Sequence, residues 1–175
     1  YVKQFQTHHL VNFNLSKEFS WQHGHWDKIR PFAKSCGEVE NVVLFNTVNR
    51  TDYAKEFHSL YQNLVRKHSI TGVANFNEES IIQMFNTPGV VLFKAVYKGK
   101  IVGMSVFYLM GDTAVYHLNA SNHKGYYLNA AYGLMYHAIT FFKQLGITKL
   151  ILGSNAGDQD SPDSGLSKFK AGWSN

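Results

Sequence analysis

Hydrophobic positions in the first half of this chain recur every three or four residues, and from Val90 onward they fall into the two-residue period of strands. Val90 to Tyr97, Ile101 to Met110 and Thr113 to Ala120 predict three consecutive strands, with tight turns at Lys98-Gly99 and Gly111-Asp112. Upstream, His9 to Leu15 and Val39 to Phe45 read as two further strands. Ser16 is expected to cap a helix to about residue 28; Pro31 ends it, and a second short helix runs to Cys36 with Gly37 as its stop. Thr51 is expected to cap a long helix whose apolar positions are Tyr53, Phe57, Leu60, Leu64 and Val65. Phe76, Asn77 and Ile81 have the spacing of a capped and stapled helix running to Phe85. Beyond the strands, a single helix is expected from Tyr126 to Leu145, with Ala130, Gly133, Leu134, His137, Ala138, Phe141 and Leu145 inward and Gly146 as its stop. A strand over residues 147–152, a loop of small and acidic residues and a terminal helix complete the chain.

A helix that leaves one strand and returns to another in the same sheet demands a crossover, so the sheet is mixed. The predicted class is α/β (α+β), a mixed and mostly antiparallel sheet flanked by helices. Its core is expected at Phe57, Leu60, Leu64, Val91, Phe93, Val106, Leu134, Phe141 and Leu150. The 175 residues fit one domain, and 45% apolar content excludes a disordered chain. No run reaches the ~20 apolar residues of a membrane span, and no charged-then-apolar leader is visible in a chain that begins at Tyr1. One cysteine, Cys36, excludes an intrachain disulfide and suits a reducing, cytoplasmic compartment. The net charge of +5 suits an anionic partner such as tRNA, a nucleotide-linked substrate or coenzyme A, although no five-residue basic block exists.

The last segment carries the strongest chemical signal. Phe169 and Trp173 are four apart and share a helix face with Leu166, and Lys170 lies about 100° round from Phe169. The anchored face therefore fixes where the ammonium points, and a Lys at a cleft edge stabilises an oxyanion or a phosphate. A terminal amphipathic helix with a solvated Lys is the plainer alternative. The pattern Gly165-Leu166-x-x-Phe169-Lys170-x-Gly172-Trp173, after Leu150-Ile151-Leu152 and the acidic loop, resembles the C-terminal signature of FemAB-type transferases. These are the GNAT-like enzymes that move aminoacyl or acetyl groups onto amines. Trp26-Asp27-Lys28-Ile29-Arg30, before Gly37, is similar to that family's Arg-Ile-Arg-Lys-Ala-like helix.

The resemblance runs from about Leu15 to Trp173 and implies the GNAT-like acyl-CoA N-acyltransferase fold. It implies that residues 16–175 are the second, C-terminal half of a two-half protein, with residues 1–15 the linking strand. A missing first domain or a dimer partner would complete it. The donor is then an activated ester or thioester, aminoacyl-tRNA or acyl-CoA, and the acceptor an amine. By this resemblance two strands splay to admit the donor, expected here as residues 101–110 and 113–120, with Asn122, Lys124, Gly125 and Tyr126 binding its anion at a helix start. That segment, Ser121-Asn122-His123-Lys124-Gly125-Tyr126, lacks the Gly-rich loop that holds coenzyme A in other GNAT enzymes, and it reads equally as an ordinary helix-start turn.

Lys170, Asn155 and His117 are the expected catalytic residues. Asn155 follows the penultimate strand, where GNAT-like proteins place a polar residue facing the donor. The position of their proton-donating Tyr is matched by Phe169, which leaves Lys170 to act by charge. His117 alternates with Tyr116 and Leu118 near the expected cleft, and a satisfied, partly buried His is its alternative. No metal is expected. His8-His9 and His23-x-His25 lack ligand spacing, and Asp158, Asp160 and Asp163 lack the EF-hand pattern. Cys36 has no sequence neighbour to activate it. The absence of a Gly-x-Ser-x-Gly elbow and of a P-loop counts against hydrolases and NTPases. Two rivals remain: a coenzyme-A-dependent N-acetyltransferase, and a non-catalytic GNAT-like module that binds an anionic ligand.

Overall fold

The computed structural model describes residues 8–14, 39–46, 49–153 and 165–175. Six strands form one sheet: β1 (His9–Asn12), β2 (Glu40–Leu44), β3 (Val90–Tyr97), β4 (Lys100–Met110), β5 (Thr113–Ser121) and β6 (Lys149–Gly153). Their spatial order is β1-β6-β5-β4-β3-β2, and every neighbouring pair is antiparallel except β5 with β6. The β3–β4–β5 meander follows from its turns. Lys98 and Gly99 both take positive φ (49° and 73°), the geometry a two-residue hairpin needs to match strand twist.

Helices α1 (Ala54–His68) and α2 (Glu78–Asn86) cover one face of the sheet. Phe57, Ile81, Phe85, Leu92, Met104 and Val106 are sealed beneath them. Helix α4 (Ala130–Gln144) and the terminal helix α5 (Gly165–Trp173) cover the other, over Val91, Phe93, Phe107, Ala114 and Leu150. With both faces buried, β3 opens as the unbroken apolar run Val90-Val91-Leu92-Phe93 rather than an alternating one. Asn77 caps α2 by accepting from the Ser80 amide (2.8 Å), and Phe76 packs into the same cluster as the fully buried Ile81, as the staple spacing requires.

Three local expectations need correction. Thr51 makes no capping bond. A 3₁₀ turn, Arg50–Tyr53, leads into α1, and Arg50 donates from Nη1 to the Val90 carbonyl (2.6 Å), tying that turn to the start of β3. The helix expected from Tyr126 to Leu145 is two helices, α3 (His123–Tyr127) and α4, separated at Asn129, whose φ of 54° is left-handed. In α4, Ala130, Gly133, Leu134 and Ala138 face inward as expected, but the buried face is shifted to take in Met135, Ile139 and Phe142. Phe142 is fully buried between Phe93 and Phe107 (centroids 5.7 and 5.2 Å), whereas Phe141 is only partly buried beside Phe45 and Leu145 is 44% exposed. Leu64 is likewise only partly buried; the remaining expected core residues are buried. The helices expected within residues 16–36, Cys36 and the acidic loop lie outside the described residues. No described helix is long and apolar enough to cross a membrane.

The inner face of α4 yields a stability test. Phe142→Ala should cost ~3–5 kcal/mol, the range for deleting a sealed aromatic, and Phe141→Ala clearly less. Urea unfolding of the two variants measures the difference; equal losses would contradict the rotated face.

Candidate functional site

Strands β5 and β6 run side by side for only three residue pairs, Thr113–Lys149, Ala114–Leu150 and Val115–Ile151. Beyond them β5 stays with β4 to Ser121, while β6 stays with β1 to Gly153. The sheet therefore opens between the carboxyl ends of two parallel strands. This corrects the expected position of the splay, because residues 101–110 and 113–120 remain paired from Gly103–Ser121 to Met110–Thr113. The hairpin turn at Gly111-Asp112 holds that pair together, whereas β5 and β6 are joined only through two helices and have no turn to enforce pairing.

The closed end of the opening is fastened by Asp112. Its carboxylate accepts from the hydroxyls of Thr148 (2.6 Å) and Thr113 (3.1 Å), and its carbonyl accepts from the Thr148 amide (2.8 Å). The Thr148 hydroxyl, with that of Thr113, holds the Asp112 carboxyl below its ordinary range.

At the start of the opening, β5 carries a bulge. Val106 pairs with Leu118 and Phe107 with Tyr116, so His117 is the extra residue. Its ring lies against Tyr108 (5.1 Å), which packs with the cluster beneath α1 and α2. Desolvation lowers the His117 pKa, favouring the neutral ring. On the opposite face, β5 presents Ala114 before the strands part and Tyr116, Asn119 and Ser121 after it. Asn119 donates to Ser105 Oγ (2.7 Å), and the buried Ser121 hydroxyl has no hydrogen-bond partner among the described residues. Burial raises the Tyr116 phenol, helped by the nearby Tyr126, so it stays protonated.

Helix α5 closes over the other side of the opening. Phe169 meets Tyr132 (5.0 Å), Trp173 is fully buried, and Asn175 exchanges hydrogen bonds with Asn12, fixing the end of α5 to β1. This anchoring places Lys170 with only 6% exposure, its Nζ 3.9 Å from where a Cβ on Gly153 would sit. Gly153 ends β6 with φ 73°, so Lys170 stands at the carboxyl end of one of the two diverging strands. Leu166, expected on the anchored face, is 40% exposed. Lys170 and His117 belong to opposite faces, and Asn155 lies outside the described residues.

The helix start after β5 is built tightly. The Asn122 side chain accepts from the Gly125 amide (2.9 Å), and the Asn122 carbonyl accepts from the Tyr126 amide (3.0 Å). Two of the amides expected to face an anion are thus engaged inside α3. Gly125 lies so close to the Val102 carbonyl oxygen and Ser121 Cβ that no side chain fits there. Lys124 places Nζ over the rings of Tyr97 (4.8 Å) and Tyr127 (4.7 Å). Among the described residues, no group of three or more His, Cys, Asp or Glu side chains is placed to hold a metal ion.

Sequence reasoning missed Tyr116, Asn119, Ser121 and Ser105. The available signal was polar residues inside an otherwise apolar strand pair, but the bulge at His117 hides which face they share.

No family model matches the chain, and no curated protein matches it. Solved structures do. FemX aligns with a TM-score of 0.70 at 11% identity, over 97% of this chain and 59% of its own. L-PGS from Bacillus licheniformis aligns at 0.63 and 15%, over 96% and 57%. The ribosomal-protein-alanine N-acetyltransferase from Brucella melitensis biovar Abortus aligns at 0.54 and 15%, over 70% and 84%. The chain has the GNAT-like fold that these structures share, and it spans little more than half the length of FemX and L-PGS.

The tight helix start leads to a second test. Gly125→Ala should lose roughly 1–3 kcal/mol by overpacking, and Asn122→Ala ~1 kcal/mol as a lost cap. Thermal melts of both variants check the order; a neutral Gly125→Ala would place α3 farther from β4.

Proposed function

We propose that this chain is an acyl-transfer domain that moves an acyl or aminoacyl group from an activated ester or thioester to an amine. The observation that carries the reading is Lys170, held in a buried position at the carboxyl end of β6 where β5 and β6 part. A fixed ammonium in a partly desolvated site is worth most where negative charge develops, which in acyl transfer is the carbonyl oxygen of the tetrahedral intermediate. The amine attacks the acyl carbon, the carbonyl electrons move onto oxygen beside Lys170, and the C–O or C–S bond to the carrier breaks as the carbonyl re-forms, the carrier leaving as its alcohol or thiol with a proton from water. No covalent enzyme intermediate is needed; holding both reactants in one cleft supplies the entropic advantage. Asn155, just beyond β6, is proposed to face the donor.

The amine must lose a proton. His117, neutral and at the bulge where the opening begins, is proposed to accept it from the face opposite Lys170. Donor and acceptor then approach from different sides of the sheet, so neither blocks the other. Asn122, Lys124, Gly125 and Tyr126 are proposed to border the donor entrance; with the Gly125 and Tyr126 amides already bonded, the contact would come from side chains rather than an amide cradle. That feature favours a donor other than acyl-CoA.

Lys170→Met keeps the aliphatic stem and removes the charge. The expected result is a ~10²–10³-fold fall in kcat with KM little changed, measured with the active donor in steady state. A loss confined to KM would make Lys170 a donor-binding residue instead, and full turnover would end the catalytic assignment.

His117→Gln should lower kcat by ~10²-fold or more and remove the acid limb of the rate profile. Because desolvation lowers the His117 pKa from 6.5, the midpoint of that limb falls below pH 6.5, and the neutral base predominates above it. An unchanged limb in the variant would assign the proton to another group.

A further inference from the structure

On the face covered by α4 and α5, the opening between β5 and β6 has two banks, and Lys170 occupies only one of them. Val115 and Ile151 are the last pair of the seam, so Tyr116 and Leu152 come next on either side, followed on β6 by Gly153. Ala114, Tyr116, Leu150 and Leu152 all turn into the cluster on this face. Lys170 reaches the β6 bank from α5, with Nζ beside Gly153. Tyr116 is therefore the first side chain on the β5 bank, across the gap from Lys170 and on the same side of the sheet. His117 is on the other side, against Tyr108.

The Tyr116 ring is held firmly and its hydroxyl is not. The ring rests on Phe107 with centroids 5.3 Å apart, and Phe107 is itself fully buried against Phe93 and Phe142 (5.3 and 5.2 Å). The hydroxyl makes no hydrogen bond to a described residue, and it is not sealed in the way the unbonded Ser121 hydroxyl is. Tyr126 in α3, beyond the carboxyl end of β5, is near enough to oppose a charge on it, so the phenol is directed to the mouth end of the strand. The other polar side chains that β5 turns this way are engaged or enclosed. Asn119 donates to Ser105 Oγ (2.7 Å), and Ser121 is 1% exposed, packed against Gly103 and Gly125. A partly buried hydroxyl left unbonded by the fold is completed by water or by a ligand.

We propose that Tyr116 is a catalytic residue, a neutral hydrogen-bond donor to the carbonyl oxygen of the acyl group from the bank opposite the Lys170 ammonium. The inference rests on the acyl-transfer reading and adds a second donor to its oxyanion site. As the C–N bond forms, the carbonyl π electrons move onto oxygen, which then accepts from Lys170 and Tyr116 at once. The phenol gives up no proton, and its bond weakens again as the carbonyl re-forms and the carrier departs. Burial raises the Tyr116 phenol, so it remains a donor through the working range and is poorly matched to protonating a departing thiolate. Two donors from separate strands also fix the oxygen in the gap, where a lone ammonium would draw it toward β6.

The test compares wild type, Tyr116→Phe and Lys170→Met in the 175-residue chain. Acetyl-CoA, p-nitrophenyl acetate and alanine ethyl ester are the donor probes, and Nα-acetyl-lysine amide is the acceptor. N-butyl methylphosphonamidate, whose P–O⁻ takes the place of the oxyanion, is the binding probe. Tyr116→Phe removes a hydroxyl that bonds nothing described in the fold, so its melting curve should match wild type. Its kcat should fall about 10²-fold with KM little changed, by the same factor for every donor turned over. Affinity for the phosphonamidate should fall by a similar factor. A loss confined to the ethyl ester, the one donor here with a strongly basic leaving group, would make Tyr116 a proton donor and overturn the inference. A loss confined to KM, or a lowered melting point, would overturn it as well. Wild-type kcat in Tyr116→Phe beside a large loss in Lys170→Met overturns this inference and leaves the acyl-transfer reading standing. Tyr116-dependent binding of the phosphonamidate without turnover from any donor supports the donor assignment and overturns the acyl-transfer reading. Neither turnover nor phosphonamidate binding by wild type overturns both.

Discussion

Pairing between β5 and β6 stops after three residues, and the arrangement of the site depends on that stop. It divides the sheet into a large part, β2 to β5 with α1, α2 and α4, and a small part, β1 and β6 with α5 fixed to β1 through Asn175. The two parts are fastened at the closed end by Asp112 and Thr148 and across one face by Tyr132, Phe169 and Trp173. Backbone donors and acceptors on the inner edge of β5 from Tyr116 onward have lost the strand that would have paired with them. Such groups are satisfied by water or by a ligand that brings its own amides and carbonyls. Under the proposed function, the acyl group would take the place of the missing strand.

The same stop accounts for the side chains around it. While β6 is alongside, β5 turns the fully buried Ala114 toward α4; once β6 departs, the same face carries Tyr116, Asn119 and Ser121. A polar strip between sheet and helix costs stability unless each group is bonded, and Ser105 is bonded by Asn119 while Ser121 is left without a partner among the described residues. The bulge at His117 belongs to the same transition. One extra residue lets His117 and Leu118 both turn to the α1–α2 face, so that Asn119 and Ser121 rejoin Tyr116 on the other.

What could be read from the sequence followed what is local. The strands from Val90 to Ser121, the Asn77 cap and the buried Phe169 and Trp173 each rest on spacing within about ten residues, and each is present. The motif around Lys170 pointed to the right fold through its resemblance to the FemAB-type signature, and its two aromatic anchors are buried as their spacing predicts. The splay was misplaced because strand separation depends on which strands are neighbours, which no periodicity reports. The break at Asn129 was missed because the close approach of Gly125 to the Val102 carbonyl, which fixes α3 on the sheet, joins residues far apart in sequence. The exchange of Phe141 for Phe142 in the core follows from packing against Phe93 and Phe107, which the spacing within the helix does not report.

Charge shows the same divide between sequence and structure. Spread along the chain, the excess of five positive charges has no block; folded, Lys67, Lys98 and Lys124 come to one surface and Lys170 goes inside. These positions give the lysines different work. The exposed ones act through solvent over about a Debye length, ~8–10 Å in physiological salt, so their field weakens as salt rises. Lys170 acts over a few ångströms in a site from which water is largely excluded, where salt scarcely reaches it and the field on a nearby oxygen is stronger. Under the proposed function, the effect of Lys170 falls on the transition state, and its burial shields that effect from changes in ionic strength.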